Sequence, residues 1–413
     1  MNKLRKIKAN IVVPPSKSMT QRAIAAATLA KGKSIIRNFS LCDDCLAALD
    51  IATTLGAQII EEENNLQIIG NFHLKNSQLN CRESAFCARL FSPIVALQPL
   101  PAEIVGSGTL LCRSMKDVII SLNAFGVKVF SVEEKNDFLL LKIEGTLKNA
   151  CATIDASQSS QILSGLLMSL PLLKNDSEIT VENLASRPYI DMTLEVMQAF
   201  GVSVENENYK KFSIKGNQSY TPQTYAVEGD WSSAAFWLVS AAISGNVTLT
   251  NLRADSLQAD KAILKVLEQV GAIVEWEKNA ITVQSGARNP FNFNASDCPD
   301  LFPPLVLLAA FCDGNSVIEG VNRLQQKESN RALALQETFG KFSVPIEIIN
   351  NTMIVHGGKS LHGATVSSFH DHRIAMAAAC VGLFTEEQVN IIDADCVKKS
   401  YPKFFDDLKK LQQ

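Results

Sequence analysis

Helix-like and strand-like stretches alternate regularly along this chain. Segments with helical apolar spacing end at an apolar residue and a Gly, and a short β-branched run follows, as in Phe125-Gly126-Val127. Gly in that position is typical of a left-handed helix stop before a strand. The signature recurs about every 70 residues, which indicates a repeated helix–strand unit. It appears at Gly56, Gly126, Gly201, Gly271 and Gly340, and Tyr401 to Leu411 supplies a sixth helix.

A second series of helices is apolar almost all round. A helix without a polar face is buried on every side, so we expect these helices at domain centres. The run from Phe302 to Phe311 is about half of the ~20 residues that a membrane span needs, which favours a buried helix. The pattern predicts an α/β protein of two domains with three repeats each. The apolar helices begin near Ser18, Ser84, Ser160, Ser232, Phe302 and His372.

The length of 413 residues exceeds what one hydrophobic core usually supports. The strand from Ile7 to Val13 has no partner within its own repeat, so we expect it to cross over and complete the second domain. We therefore predict a first domain at residues 14–226 and a second domain at residues 1–13 plus 227–413. Hinges near 13–15 and 226–229 would favour closure around a ligand.

Composition narrows the class of protein. Apolar residues make up 46% and charged residues 20%, with a net charge of −3, so long-range attraction to nucleic acid or an anionic membrane is not expected. Ten cysteines are scattered, and the pair Cys42 and Cys45 has no second pair at zinc-ribbon spacing. We expect a cytoplasmic protein with reduced thiols that acts as a monomer on small molecules.

Polar residues gather where the buried helices begin. Helix capping explains Asp230, Ser232 and Ser233. Capping does not explain Lys17, Arg22 or Arg373, because a cation at the positive end of a helix is unfavourable unless an anion lies beside it. These helix starts therefore predict sites for phosphate or carboxylate groups.

Other charged residues stand in a second set of loops. Arg113 follows a Gly-rich segment, and Lys398-Lys399 precedes the last helix. The spacing of Lys327 and Arg331 places both cations on one face of a predicted helix, with Glu328 beside them. A Glu buried among cations is a candidate for proton transfer, although solvated helix ends would show the same pattern.

Together these motifs resemble the 3-phosphoshikimate 1-carboxyvinyltransferase (EPSP synthase) family of enolpyruvyl transferases along essentially the whole chain. The resemblance implies two domains of three βαβαββ units each, an inside-out α/β barrel with buried central helices. It also implies transfer of the enolpyruvyl group from phosphoenolpyruvate to shikimate 3-phosphate in a closed interdomain cleft, with no metal or organic cofactor. The motifs run from Pro14 to Arg22, then Ser159-Ser160-Gln161, Ser186 to Asp191, Val227 to Asp230, Pro299-Asp300, Lys327 to Arg331, Asp371-His372-Arg373 and Lys399 to Pro402.

The resemblance also implies a role for each matching residue. Asp300 is similar to the family's proton acceptor for the 5-hydroxyl, Glu328 to its proton donor, and Lys17 to a catalytic cation. The shikimate 3-phosphate site would comprise Lys17, Ser18, Arg22, Ser159, Ser160, Gln161, Ser186, Asp300, Arg323 and Lys327. The phosphoenolpyruvate site would comprise Lys17, Ala85, Arg113, Gln161, Arg331, Arg373 and Lys399.

The chain departs from the family pattern mainly on the phosphoenolpyruvate side. Glu83 stands for the usual Asn, Ala85 for the usual Gly, and Thr109 for an Arg that contacts this substrate in many members. A methyl group at Ala85 would hinder ligands longer than phosphoenolpyruvate, so we expect weak inhibition by glyphosate. Arg323 is at a position that is often Asn, and Asn330 at one that is usually Asp.

Two other functions are open to the same sequence. The homologous transferase that acts on UDP-N-acetylglucosamine has a Lys-Asn pair and a mobile-loop Cys, where this chain has Lys17-Ser18 and Gly108. A non-catalytic ligand-binding relative would have no use for both Asp300 and Glu328. A metal at Asp371 and its flanking histidines is not expected, because no other His or Cys clusters with them in the sequence.

Overall fold

A computed structural model describes residues 4–63, 65–131, 139–148 and 150–412 of the chain. Its contacts divide it into two units. Pro15–Val227 form the N-terminal unit, and Met1–Pro14 together with Glu228–Gln413 form the C-terminal unit. Strands and helices alternate through both units.

The helices are of two kinds, and the apolar ones begin at or next to the positions that the sequence predicts. Every residue of α3, α9 and α11 is buried, and the residues predicted to form the fifth apolar helix are those of α9. In the N-terminal unit α3 packs against α5, and in the C-terminal unit α9 packs against both α7 and α11. The helices are α1 (Lys17–Leu29), α2 (Asp43–Thr54), α3 (Ala85–Val95), α4 (Lys116–Ala124), α5 (Gln161–Ser169), α6 (Pro188–Ala199), α7 (Trp231–Ser244), α8 (Ile263–Gln269), α9 (Phe302–Phe311), α10 (Arg331–Lys341), α11 (His372–Val381) and α12 (Phe404–Leu411).

The strands are short and most alternate in burial, as in β4 and β6, where buried residues alternate with partly buried ones. This period of two lets one face of each sheet cover the helices. The strands are β1 (Ile7–Val12), β2 (Gly32–Arg37), β3 (Gln58–Glu62), β4 (Asn65–Gly70), β5 (Gln78–Asn80), β6 (Ala102–Gly106), β7 (Lys128–Ser131), β8 (Leu139–Glu144), β9 (Cys151–Asp155), β10 (Ser177–Glu182), β11 (Glu205–Glu207), β12 (Lys211–Ile214), β13 (Thr224–Ala226), β14 (Gly245–Thr250), β15 (Ile273–Glu277), β16 (Ala280–Gln284), β17 (Asn292–Asn294), β18 (Asn315–Glu319), β19 (Ile346–Ile349), β20 (Thr352–His356), β21 (Thr365–Ser367) and β22 (Asn390–Ile392).

One sheet topology recurs through the chain. In the N-terminal unit the strand orders are β13-β2-β4-β3, β5-β6-β8-β7 and β9-β10-β12-β11. In the C-terminal unit they are β1-β14-β16-β15 and β17-β18-β20-β19, and β21 pairs with β22. In each four-stranded sheet the first two strands are parallel and the later pairs are antiparallel. The repeat that the Gly spacing indicates is therefore visible in the strand order.

In each unit, one four-stranded sheet has an edge strand that is distant in sequence from its other three strands. β1 pairs in parallel with β14, with Ile7 opposite Gly245, so the N-terminal strand does complete a sheet of the C-terminal unit. β13 pairs in parallel with β2 at the other crossing. Asn251 holds the chain at both crossings, because its Nδ2 donates to Val13 O at 2.8 Å and its O accepts from Gly229 N at 2.7 Å. The close approach requires Gly229, since an added Cβ would lie 2.2 Å from Asn251 O.

The left-handed helix stop is present at four of the five predicted glycines. Gly56, Gly126, Gly201 and Gly271 have φ values of +97°, +79°, +83° and +80°. The prediction for Gly340 is wrong, because α10 continues through it to Lys341 and Ser343 has the positive φ of +68°. The fifth copy of the signature is thus Phe342-Ser343-Val344, in which a Ser takes the place of Gly.

Ser343 therefore offers a test of backbone strain. We expect Ser343→Gly to raise the free energy of unfolding by about 0.5–1 kcal/mol, because an L side chain in the left-handed region is strained and Gly relieves this at some entropic cost. Ser343 is exposed, so little packing is lost. Gly271→Ser is the reverse control and should lower stability. Urea unfolding checks both, and a loss of stability in Ser343→Gly would contradict the strain.

Candidate active site

A buried arginine is the centre of a charged cluster in the C-terminal unit. Arg331 is the first residue of α10, its side chain is 1% exposed, and Asn330 caps the helix. Its Nε donates to Asp371 Oδ2 at 2.9 Å and its Nη1 to Asp300 Oδ1 at 2.8 Å. Its Nη2 donates to Glu328 Oε2 at 2.7 Å. The guanidinium thus contacts both carboxyl groups that the sequence assigns to proton transfer.

Two more cations reach this cluster through Asp300. Lys327 Nζ lies 3.3 Å from Asp300 Oδ1, and Arg373 Nη2 donates to Oδ2 at 3.1 Å. The prediction that Lys327 and Arg331 share a helical face is wrong, since Lys327 precedes the cap of α10. The loop nevertheless brings both cations to the same carboxylate. We call these six residues (Arg331, Asp371, Asp300, Glu328, Lys327 and Arg373) the Arg331 cluster.

The cluster stabilises its arginines in the charged form. Burial would lower the pKa of Arg331, but the charges of Asp371, Glu328 and Asp300 outweigh it and raise this pKa. Burial of Arg373 is likewise outweighed, chiefly by Asp300, and its pKa is also raised. Buried guanidinium groups with several donors are suited to bind carboxylate or phosphate in a bidentate manner.

Asp260 was missed in the sequence. It lies in a 3₁₀ turn at Ala259–Ala262 and is 2% exposed. The Ser232 hydroxyl donates to its Oδ2. Of the three residues predicted to cap α7, only Asp230 accepts from a backbone N–H, that of Ser233 at 2.8 Å. Burial is the main cause that raises the pKa of Asp260, to about 7. No motif marks this residue, because an Asp in a loop normally suggests exposure.

Two further cations assigned to this half are placed by short turns. Lys399 ends the 3₁₀ turn Ala394–Lys399 and is 6% exposed. Arg323 lies in the 3₁₀ turn Val321–Leu324 and is partly buried. In the described ranges no group of three His, Cys, Asp or Glu side chains could hold a metal ion, and His370 instead pairs with Asp393 at 2.6 Å.

In the N-terminal unit, Lys17 begins the buried helix α1. Ser16 caps this helix by accepting from Met19 N. The anion that a cation at a helix start requires is supplied by the protein, since Lys17 Nζ lies 2.8 Å from Asp44 Oδ2. Asp44 is 5% exposed and lies in the first turn of α2. No motif marks this partner, because Asp44 lies on the next helix of the fold.

Arg22 is a buried cation whose partners are neutral. It is 1% exposed, its Nε donates to Thr193 Oγ1 at 2.8 Å, and its Nη2 donates to Tyr189 O at 3.1 Å. Its Nη1 donates to Ser18 O at 2.9 Å, and the guanidinium lies 4.4 Å from the Phe86 ring centre. Among the described residues no carboxylate lies within ion-pair distance of it, and burial lowers its pKa to about 10. A bound anion would therefore add the missing charge.

The departures from the family pattern at Glu83 and Thr109 form one contact. Glu83 Oε2 accepts from Thr109 Oγ1 at 2.7 Å and from Thr109 N at 3.2 Å. Gly108 lies beside them with a φ of +55°, and an added Cβ would lie 2.4 Å from Glu83 Oε1, so a side chain there would displace the Glu83 carboxylate. Ala85 follows the Ser84 cap of α3 and is 2% exposed.

Of the remaining polar residues of this unit, Ser159, Ser160 and Gln161 lie at the start of α5. Gln161 Oε1 accepts from Arg89 Nη1 at 3.3 Å, and Gln161 N donates to Ser159 Oγ at 3.1 Å. Ser160 is buried next to them. Ser186 is buried with a φ of +59°, a strained backbone conformation of the kind that clusters at functional sites. Arg113 ends the 3₁₀ turn Gly108–Cys112 and is partly buried.

Comparisons with known proteins agree along the whole chain. A family model for EPSP synthase (3-phosphoshikimate 1-carboxyvinyltransferase) matches residues 1–408. A 3-phosphoshikimate 1-carboxyvinyltransferase from Clostridium perfringens is 39% identical over 411 residues, which cover 98% of this chain and 96% of the relative. One from Clostridium acetobutylicum is 37% identical over 412 residues, 98% of this chain and 95% of the relative. A solved EPSP synthase from Acinetobacter baumannii aligns with a TM-score of 0.82 at 25% identity, covering 99% of this chain and 96% of that chain.

None of the described helices is long and apolar enough to span a bilayer. The ten cysteines are all free, and seven of them are buried.

The Arg331 cluster predicts a large effect of removing one buried charge. Asp371→Asn should lower the free energy of unfolding by roughly 3–5 kcal/mol, since it leaves Arg331 with an incomplete set of buried anions. Asn can still cap α11, so capping contributes little to the loss. Chemical denaturation measures the effect. Asp395→Asn, at an exposed pair with Lys398, is the control and should change nothing measurable. Equal behaviour of the two variants would contradict the prediction.

Proposed function

The chain belongs to the EPSP synthase (3-phosphoshikimate 1-carboxyvinyltransferase) family, and from this we propose that it transfers the enolpyruvyl group of phosphoenolpyruvate to the 5-hydroxyl of shikimate 3-phosphate. Phosphate is the second product, and the step belongs to the shikimate pathway. The observation that supports this most is the contact of one buried guanidinium, that of Arg331, with both Asp300 and Glu328. A proton acceptor and a proton donor are thereby held beside an anion-binding group.

We propose an addition followed by an elimination. Glu328 gives a proton to the methylene carbon of phosphoenolpyruvate, the 5-oxygen bonds to the adjacent carbon, and Asp300 accepts the hydroxyl proton. The resulting ketal then returns a proton from the new methyl group to the Glu328 carboxylate and breaks its carbon–oxygen bond to phosphate. An anion bound at Arg331 would raise the pKa of Glu328 next to it, which favours the protonated form that a donor needs.

The other cations of the C-terminal unit fit the anionic substrate. Arg331 and Arg373 would bind the phosphate and carboxylate of phosphoenolpyruvate, with Lys399 from the last 3₁₀ turn. Neighbouring carboxylates outweigh burial and raise the pKa values of Arg331 and Arg373, so both guanidinium groups stay charged at any working pH. Lys327 beside Asp300, and Arg323, would serve shikimate 3-phosphate.

In the N-terminal unit we propose that Arg22 serves shikimate 3-phosphate. The absence of a carboxylate from its described surroundings supports this, since a ligand anion would complete the site. Lys17 would exchange its pair with Asp44 for contacts to both substrates. Ser18, Ser159, Ser160, Gln161 and Ser186 would supply hydrogen bonds to the acceptor, and Gln161, Ala85 and Arg113 would border phosphoenolpyruvate.

We also propose the finer architecture of the family, two inside-out α/β barrels of three repeats. The burial of α3, α9 and α11 on all sides supports it. Division near 13–15 and 226–229, closure of the two domains around substrate, a monomeric state and a cytoplasmic location stay predictions. Transfer to UDP-N-acetylglucosamine and a non-catalytic role are not favoured, because the similar proteins reported above are named 3-phosphoshikimate 1-carboxyvinyltransferase.

Phosphate release from phosphoenolpyruvate and shikimate 3-phosphate tests the reaction. Asp300→Asn and Glu328→Gln should each lower kcat by about 10²–10⁴-fold, the usual worth of a positioned acid or base. Asp313→Asn, at an exposed Asp outside the Arg331 cluster, is the matched control and should keep full activity. Release with UDP-N-acetylglucosamine as acceptor would favour the rival transferase. Ligand binding without any release would favour the non-catalytic relative.

A second prediction concerns glyphosate, which is longer than phosphoenolpyruvate. In the proposed site the methyl group of Ala85, at the start of α3, would leave less room for the ligand. We therefore expect glyphosate to inhibit the unaltered protein at millimolar rather than micromolar concentrations. Ala85→Gly should increase sensitivity by roughly tenfold or more while the KM for phosphoenolpyruvate changes less, since a single methyl clash in a tight site costs on the order of 1–3 kcal/mol. The inhibition constants of glyphosate for the unaltered protein and for Ala85→Gly test this prediction. Micromolar, competitive inhibition of the unaltered protein would sink the hypothesis.

A further inference from the structure

Asp260 is a buried carboxyl group that the proposed mechanism does not use. It is 2% exposed, and its Oδ2 accepts from the Ser232 hydroxyl. Its Oδ1 is buried and has no hydrogen-bond partner among the described residues. An ionised carboxylate can accept about four hydrogen bonds, so this site satisfies the charged form poorly. Burial without compensating donors favours the neutral acid.

The charges around Asp260 come from several elements of the C-terminal unit. Asp300, from the turn before α9, and Asp230, from the cap of α7, oppose its ionisation. Arg373, from α11, favours it. Cys298 also lies within electrostatic range. Of the neighbouring lysines, Lys261 on the same turn donates to Ala254 O and Lys265 lies on α8.

Arg373 is the charge that links this acid to the ligand. Its Nη2 is already shared with Asp300 at 3.1 Å. A phosphate or carboxylate bound to Arg373 adds negative charge next to Asp260 and cancels the positive potential that favours its ionised form. The pKa of the acid, already raised to about 7 by burial, must then rise further.

We propose that Asp260 couples anion binding in the Arg331 cluster to the uptake of one proton, so that its neutral form is the binding-competent form. Linkage is reciprocal: if the anion favours protonation, protonation strengthens anion binding by the same factor. Asp260 is therefore a positioning residue that acts through Arg373. The identification of the anion as phosphoenolpyruvate rests on the proposed function.

The pH dependence of substrate binding has a defined sign. Below pH 7 the free enzyme already holds the proton, and binding gains nothing from a further drop in pH. Above pH 7 the free enzyme must take up a proton to bind, so affinity for the anion falls as pH rises. The second pKa of phosphate monoesters is near 6, so about nine-tenths of the ligand is already doubly ionised at pH 7, and the window from pH 7 to 8.5 reports mainly on the protein group.

The first experiment measures KM for phosphoenolpyruvate across this window at saturating shikimate 3-phosphate. In the unaltered protein we expect KM to rise about fifteenfold from pH 7 to 8.5, the factor that follows from a group with a pKa near 7. In Asp260→Asn, which keeps the acceptor for Ser232 and cannot ionise, the rise should be less than twofold. Asp255→Asn, an exposed Asp in the preceding loop, is the matched control and should behave like the unaltered protein.

A second experiment measures the proton directly. Glu328→Gln saturated with shikimate 3-phosphate is titrated with phosphoenolpyruvate at pH 7.5 by calorimetry, in two buffers of different ionisation enthalpy. About 0.7 proton should be taken up per ligand, as expected for a free-state pKa near 7. Uptake should vanish when Asp260→Asn is added to that variant.

If Asp260→Asn does not fold, Ser232→Ala provides an alternative test. It removes the donor to Oδ2, so the rise in KM should begin at a pH about one unit higher, the size of one lost hydrogen bond. The same KM profile in all variants, or proton uptake that survives Asp260→Asn, would overturn the inference and leave the proposed function intact. Failure to bind phosphoenolpyruvate at any pH would instead overturn the proposed function.

Discussion

The C-terminal unit depends on the burial of a single guanidinium. Arg331 begins α10, Asp371 caps α11, and Asp300 lies in the turn that leads into α9, so one side chain joins the starts of three helices. The desolvation of this group is offset only while all its anionic partners are present. The fold therefore requires carboxylates around Arg331, and the proposed reaction uses two of them, Asp300 and Glu328.

Apolar patterning predicted the buried framework well. A helix that is apolar on every side is stable only in the interior of the protein. The residue that ends the neighbouring helix has a left-handed backbone conformation, which favours Gly and is taken once by a Ser. Both signals are local to the sequence. The fifth stop was misplaced by three residues because Gly340 is tolerated inside α10 while Ser343 adopts the left-handed conformation. Local signals specify where elements lie, with an error of about one helical turn at their ends.

The partners of the charged residues were not predictable in the same way. Lys17 was recognised as a cation that needs an anion, but its partner Asp44 comes from another helix of the same unit. Arg373 pairs with Asp300, and the buried Asp260, which the charge of Arg373 also influences, comes from a separate turn. Nothing in the chain near an Asp says whether it will be exposed or buried, because that depends on how distant turns pack. Glu83 and Thr109 were judged as separate departures for this reason, although they are the two ends of one hydrogen bond.

The pairing of β1 with β14 has a consequence for biosynthesis. A hydrogen bond joins Asn251 to Val13, 238 residues earlier in the chain, so β1 leaves the ribosome long before its partner β14 is made. At 5–20 residues per second this delay is about 10–50 s. During it the N-terminal unit can fold through β13 and β2, whereas β1 keeps an open edge that a chaperone or a neighbouring nascent chain could pair with. The order of synthesis, as well as the final contacts, thus determines when the C-terminal unit can form.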